Sequence, residues 1–153
     1  NPRGYVFSEG STFGRFDYYA APRRSVYMPV VRNAIYDIFA GFDFGNASDS
    51  VGGRPSTVVP SQALLMMNSG FVETQAGAFA QRLLAMPARN STERIQAAFV
   101  EAYGRPATVM EVEDSLAFLS LMRSSAPNGE EETFAWSRLC HVIVGASEFI
   151  YLE

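Results

Sequence analysis

The feature that most constrains the fold is the spacing of apolar residues after Pro60. Between positions 72 and 83 they recur at every third or fourth residue: Val72, Ala76, Phe79, Ala80 and Leu83. Because an α-helix turns once in about 3.6 residues, this spacing places all of them on one helical face. The pattern therefore predicts an amphipathic helix that runs to about Met86 and is stopped by Pro87.

The same region contains signals for the ends of further helices. Pro60 suits the first turn of a helix that continues through SQALLMMN. Asn90 with Glu93, and Thr108 with Glu111, have the spacing of a capping box, and Gly104 is suited to end the helix between them. The last helix follows the turn Ala126–Glu132, whose acids lie where the helix dipole favours negative charge.

Residues 1–59 have a different texture, rich in Gly, Pro, Tyr and Phe. Arg23–Val30 has strand-like residues, but Pro29 restricts it to a short or edge strand. Asn33–Phe42 is compatible with a short helix, and Gly45–Ser56 reads as loop. We predict a mainly α fold: a compact bundle of about five helices over 60–153, preceded by an extended, mostly irregular arm and loop region over 1–59 with at most short strands. The two parts are expected to form one domain, as a fragment of a larger polypeptide.

Charge and hydropathy exclude several classes of protein. Residues 69–153 carry six arginines against eleven acids, a net charge of −5, and residues 1–68 a net +1. No basic stripe is available to neutralise phosphates, which argues against a nucleic-acid partner. No apolar run approaches the roughly 20 residues of a membrane-spanning helix.

The closing stretch WSRLCHVIVGASEFIYLE contains SRLCH, one residue short of the Cys-x-x-Cys-His signature of haem attachment. Position 137 is serine, so the second thiol is absent. On a helix, Cys140 shares a face with Trp136, Leu139 and Ile143, which favours a place in the core. The alternatives are a damaged haem site or a reactive pair with His141, although neighbouring side chains on a helix do not face each other.

Other catalytic and metal-binding patterns are also incomplete. One histidine and one cysteine make an all-protein zinc site uncommon, and GASEF lacks the last glycine of a nucleophile elbow. GGRPST lacks the lysine of a phosphate loop. Oxygen ligands in DFGNASDS do not follow calcium-loop spacing. We therefore assign no catalytic residue, metal, haem or other cofactor.

A group of arginines and tyrosines in the first part of the chain is the candidate binding surface. Its members are Tyr18, Tyr19, Arg23, Arg24, Tyr27, Arg32 and Arg54. Such residues suit a protein interface or the binding of acidic or carbohydrate ligands. The alternative is that these arginines tie irregular backbone to carboxylates such as Asp37 and Asp43.

Four phrases occur in order along the chain: RRSVYMPVVRNAIYDIFAGFDF, GRPSTVVPSQALLMMNSGFV, AYGRPATVMEVEDSLAFL and WSRLCHVIVGASEFIYLE. Together they resemble the C-terminal part of the planctomycete-specific PSD-one domain, also called domain of unknown function fifteen fifty-three, over residues 23–153. The resemblance implies a mostly helical domain of large exported proteins, periplasmic or extracellular, often with a cytochrome-c-like module upstream. The family has no established catalytic residues to carry over to this chain.

These observations favour a non-catalytic interaction or scaffold domain of a cell-envelope protein over an enzyme. Its expected partners are other protein domains or subunits, with a cytochrome c as one candidate, and neither nucleic acid nor a membrane span is expected. The alternative is a module that binds or processes polysaccharide through the Arg/Tyr-rich surface.

Overall fold

The structure of the protein is a computed structural model that describes residues 60–87 and 90–151, together with 24–27, 39, 41, 42 and 44. The chain divides into two units, residues 1–62 and 63–153. Helices account for most of the described residues: α1 Pro60–Asn68, α2 Gly70–Ala85, α3 Ser91–Tyr103, α4 Val109–Ser124, α5 Glu131–Gly145 and the single turn α6 Ser147–Ile150. The described residues include no strand, so the predicted helical bundle is confirmed.

Most of the predicted arm, residues 1–59, lies outside the described residues. Where Arg23–Val30 was predicted to form a short strand, Ser25–Tyr27 instead form a turn of 3-10 helix. The Tyr27 amide N–H donates to the Arg24 carbonyl at 3.0 Å, and this local bond replaces strand pairing. Within the predicted helix Asn33–Phe42, the described residues Phe39 and Gly41 are helical.

The predicted helix ends are confirmed where side chains determine them. The Asn90 side chain accepts a hydrogen bond from the Glu93 amide at 2.8 Å. Thr108 and Glu111 form a complete capping box, in which each side chain bonds the other residue's backbone N–H. Gly104 ends α3 with a φ of 72°, a left-handed conformation that glycine adopts at little cost.

Helix α5 is the centre of the bundle and packs against α2 and α4, while α3 contacts α2, α4 and α5. Trp136 is fully buried, and its indole N–H donates to Glu132 at 3.1 Å. The predicted face of α2 is buried throughout. On α4, by contrast, Ser115 and Leu119 are buried whereas Phe118 and Met122 are only half-buried. One apolar side of α4 is therefore left uncovered. None of the described helices is long and apolar enough to cross a membrane.

Candidate functional site

A groove along α5 is the candidate site. It encloses about 480 Å³ and is lined by residues of α1, α4 and α5 and the residue that follows α5: Met67, Phe118, Met122, Arg138, His141, Val142, Gly145 and Ala146. We refer to the lining residues of α1 and α4 as the two walls of the groove and to those of α5 as its floor. Most of the lining side chains are apolar. A concave apolar site with a few polar groups is typical of a binding site.

The apolar side chains of this groove are open to solvent. Met67 is 66% exposed on the α1 wall, and Val142 is 57% exposed on the floor. Leu121 lies one turn after Phe118 on α4 and is 60% exposed, so it extends the apolar surface of that wall. Contiguous exposed apolar surface of this kind marks interaction sites.

Gly145, the last residue of α5, leaves open space on the floor of the groove. A Cβ atom placed on Gly145 would meet no protein atom within 4 Å. Gly145 is also not among the described glycines with a positive φ, so its backbone conformation does not require glycine. The space above Gly145 is therefore available to a bound side chain or to a substituted residue.

Two polar residues are among the described residues that line the groove, and both have partners in the protein. Arg138 pairs with the Glu73 carboxylate at 3.1 Å and lies over the Phe134 ring at 5.2 Å. His141 Nε2 lies 3.0 Å from the Met66 carbonyl oxygen and thereby joins α5 to α1. The His141 contact therefore joins the floor to the α1 wall, and the Arg138 ion pair joins α5 to α2.

One acidic residue lies next to the α4 side of the groove. Asp114 lies one helical turn before Phe118 on the same face of α4, and it is exposed. Among the described residues, Asp114 forms no ion pair, whereas Arg138 is paired with Glu73. The carboxylate of Asp114 is therefore available to a cation of a partner.

A second cluster is centred on Arg105 and contains charged and aromatic residues. Its guanidinium forms two hydrogen bonds with Glu111, at 2.9 and 2.7 Å, and two with Glu148, at 2.6 and 2.7 Å. It also lies over the rings of Phe99 and Tyr103, at 5.8 and 5.6 Å. These contacts link the loop between α3 and α4 to α6.

The pKa values in this cluster follow from the same contacts. Hydrogen bonds from Arg105 and from the Thr108 backbone N–H lower the pKa of Glu111 to about 2, and hydrogen bonds from Arg105 also lower the pKa of Glu148. Burial raises the pKa of Tyr103, whose hydroxyl donates to the Ile143 carbonyl at 2.9 Å. Perturbed groups are candidates for catalysis, but ion-pair networks perturb them too. Here every shifted group is engaged in a contact that joins two elements, so the cluster is a structural clamp.

Residues 11–119 match the model of a family described as a protein of unknown function (DUF1553). The chain belongs to this family. Neither the curated proteins nor the solved structures contain a match to it. The matched residues cover α1, α2, α3 and most of α4, whereas the floor of the groove, formed by α5, follows them.

Cys140 of this DUF1553 domain lies in the hydrophobic core, as its helical spacing predicted. Its exposed fraction is 0%, and burial raises the pKa of its thiol to about 12. A thiol becomes a nucleophile or a metal ligand as the thiolate. The buried, protonated thiol therefore contradicts the reactive-pair alternative. The described residues also contain no group of three or more side chains placed to hold a metal ion.

The predicted Arg/Tyr surface is described at two positions. Arg24 and Tyr27 are both exposed, Tyr27 by 72%. The other five predicted residues lie outside the described part of the chain: Tyr18, Tyr19, Arg23, Arg32 and Arg54. The role assigned to this surface stays a prediction.

Sequence reasoning missed both the groove and the Arg105 clamp. Local signals for the clamp were present, because Phe99, Tyr103 and the capping Glu111 all lie within six residues of Arg105. No spacing rule connects Arg105 with Glu148, 43 residues later. For the groove, the signal was the surplus of apolar residues on α4.

Proposed function

We propose that this DUF1553 domain is a non-catalytic interaction module that docks to another protein domain or subunit through the groove along α5. The observation that carries the proposal is the apolar lining of the groove, in which Met67 and Val142 are exposed to solvent. Complete burial of an apolar side chain of this size stabilises a protein or a complex by roughly 1.5–3 kcal/mol. A partner that covers the exposed side chains of the groove gains part of this free energy.

The state of the ionisable groups supports a non-catalytic role. Arg105, Glu111 and Glu148 are committed to the clamp, and the Cys140 thiol is protonated inside the core. General acid–base catalysis needs a group with a pKa near the working pH and access to substrate. None of these four groups combines the two properties.

The proposal includes the setting that the family resemblance implies. The protein would belong to the cell envelope, periplasmic or extracellular, and a cytochrome c is one candidate partner. The polysaccharide-binding alternative rests on the Arg/Tyr-rich surface. In its favour, the described members Arg24 and Tyr27 present a cation and an aromatic ring to solvent.

Site-specific photo-crosslinking tests the docking role. A benzophenone amino acid is placed at Val142 in the groove, or at Val100 on α3 as a matched control. Both positions are exposed helical valines, by 57% and 51%. The protein is produced in its source cells and irradiated in intact cells. Mass spectrometry then identifies the crosslinked peptides.

We expect a discrete crosslink from position 142 to a defined protein segment and none to that segment from position 100. The crosslink should disappear when Gly145→Leu fills the groove. No crosslink from position 142, or the same adducts from both positions, would refute the docking role of the groove.

A further inference from the structure

We infer that the groove receives one amphipathic α-helix from a different polypeptide, with apolar residues on one face and basic residues flanking them. This inference rests on the proposed docking role and names the chemical class of the partner. Three properties support it: the length of the groove, the unpaired carboxylate of Asp114 next to it, and the open space at Gly145.

The length of the groove suits about two turns of a partner helix. On the floor, the lining residues run from Arg138 through His141 to Gly145, a span of about 10 Å at 1.5 Å per residue. On the α4 wall, the lining residues are Phe118 and Met122, about one helical turn apart. A partner helix with apolar residues at i, i+3 or i+4, and i+7 covers the same length.

Other modes of peptide recognition lack their structural requirements here. Addition of a β-strand requires an exposed sheet edge, and the described residues contain no strand. Polyproline segments dock between aromatic rings, whereas Phe118 is the one Phe, Tyr or Trp among the described residues that line this groove. Met67 and Met122 instead provide the adaptable thioether surface that suits helical partners.

The negative charge of residues 69–153 favours a basic partner over a second copy of this chain. Residues 69–153 have a net charge of −5, so two copies would bring like charges together. Asp114 lies beside the α4 wall and has no ion-pair partner among the described residues, and Arg138 is already paired with Glu73. A lysine or arginine beside the apolar stripe of a partner helix would form an ion pair with the carboxylate of Asp114.

The open floor accommodates a bulky side chain of the partner. Because a Cβ atom on Gly145 would meet nothing within 4 Å, there is free space above this residue. An apolar anchor of the partner helix fits at this point. Interfaces concentrate their binding energy in anchors of this kind.

Binding of three synthetic helical peptides to the full chain tests the inference, with fluorescence anisotropy as the readout. The first peptide has apolar residues at i, i+3, i+7 and flanking lysines. The second carries glutamates in place of the lysines. The third has the composition of the first in scrambled order. We expect the first to bind at least about tenfold more tightly than either of the others.

Variants of the chain locate the binding. Gly145→Leu should weaken binding of the basic peptide by about tenfold or more, because its side chain occupies the place of the anchor. Gly70→Leu is the matched control, since a Cβ atom there also meets nothing within 4 Å and Gly70 does not line the groove. Asp114→Asn should weaken binding by about twofold to fivefold, the effect of one exposed charge pair. Circular dichroism confirms that each variant is folded.

The outcomes separate this inference from the proposed function. Equal affinity for the basic and acidic peptides overturns the basic partner, and equal affinity for the scrambled peptide overturns the helical one. Self-association that Gly145→Leu abolishes, measured by analytical ultracentrifugation, assigns the groove to a second copy. A Val142 crosslink to another protein with no binding of any peptide overturns the helical partner while the docking role stands. Absence of both the crosslink and peptide binding overturns both.

Discussion

The thiol of Cys140 should be almost inert in the folded protein. Its exposed fraction is 0%, and it packs in the same core as Trp136 and Leu139. Thiol reagents attack the thiolate, so both burial and the raised pKa oppose the reaction. The predicted quantity is the ratio of labelling rates in the folded and the unfolded protein.

Two routes to labelling can be compared. In the folded state the pKa is raised from 9.0 to about 12, which lowers the thiolate fraction near neutral pH about a thousandfold. Through unfolding, a stability of about 5 kcal/mol, at the low end for domains, leaves about one molecule in 5,000 open. Either route predicts labelling at least about a thousandfold slower in the native protein than in denaturant.

The assay follows absorbance after addition of an aromatic disulfide reagent at constant pH, in buffer and in concentrated urea. Cys140→Ala combined with Val142→Cys is the control. Position 142 is 57% exposed, so its thiol should react in the folded protein at nearly the unfolded rate. Native labelling of Cys140 within about tenfold of its unfolded rate would refute the argument from burial and restore the reactive-pair interpretation.

Three further predictions concern stability, each measured by urea denaturation. Thr108→Ala should lower the free energy of unfolding by about 1 kcal/mol through loss of the cap, and an unchanged midpoint would contradict the capping role. Arg105→Gln should reduce the loss of stability on acidification. The lowered pKa of Glu111 contributes stability that is present above the usual carboxyl pKa and is lost as pH falls toward about 2. An unchanged dependence of stability on pH would show that the ion pair does not contribute to it. Gly77→Ala should stabilise α2 by up to about 1 kcal/mol, since the new Cβ would lie 3.7 Å from the Ser137 hydroxyl, an ordinary contact; destabilisation would show that the helices cannot accommodate a methyl group there.

Local signals were sufficient to predict the helical framework. The cap of α3 at Asn90, the capping box at Thr108 and the left-handed Gly104 each depend on residues within one turn of a helix end. The place of Cys140 in the core followed in the same way, because a single strongly apolar face leaves little choice of which side is buried. The amino-acid sequence by itself therefore determined the fold class, most helix ends and the buried position of Cys140.

The strand predicted at Arg23–Val30 was wrong over Ser25–Tyr27. The prediction used the β-branched and aromatic residues of the segment and did not consider that the same residues can form a turn. Strand-like residues do not pair unless a neighbouring strand is available, and here the backbone closes a hydrogen bond from Tyr27 to Arg24 instead. Strand propensity depends on tertiary context, which a short segment does not contain.

The groove and the Arg105 clamp were decided by tertiary structure alone. Met67 and Val142 reach one groove because α1 and α4 flank α5, and Arg105 meets Glu148 because α6 returns to the loop after α3. Helical periodicity specifies which face of a helix is apolar, but not which neighbour covers that face. Helix α4 shows the limit most clearly, since its apolar residues occupy more than one side and only packing leaves Phe118 half-exposed while Leu119 is buried.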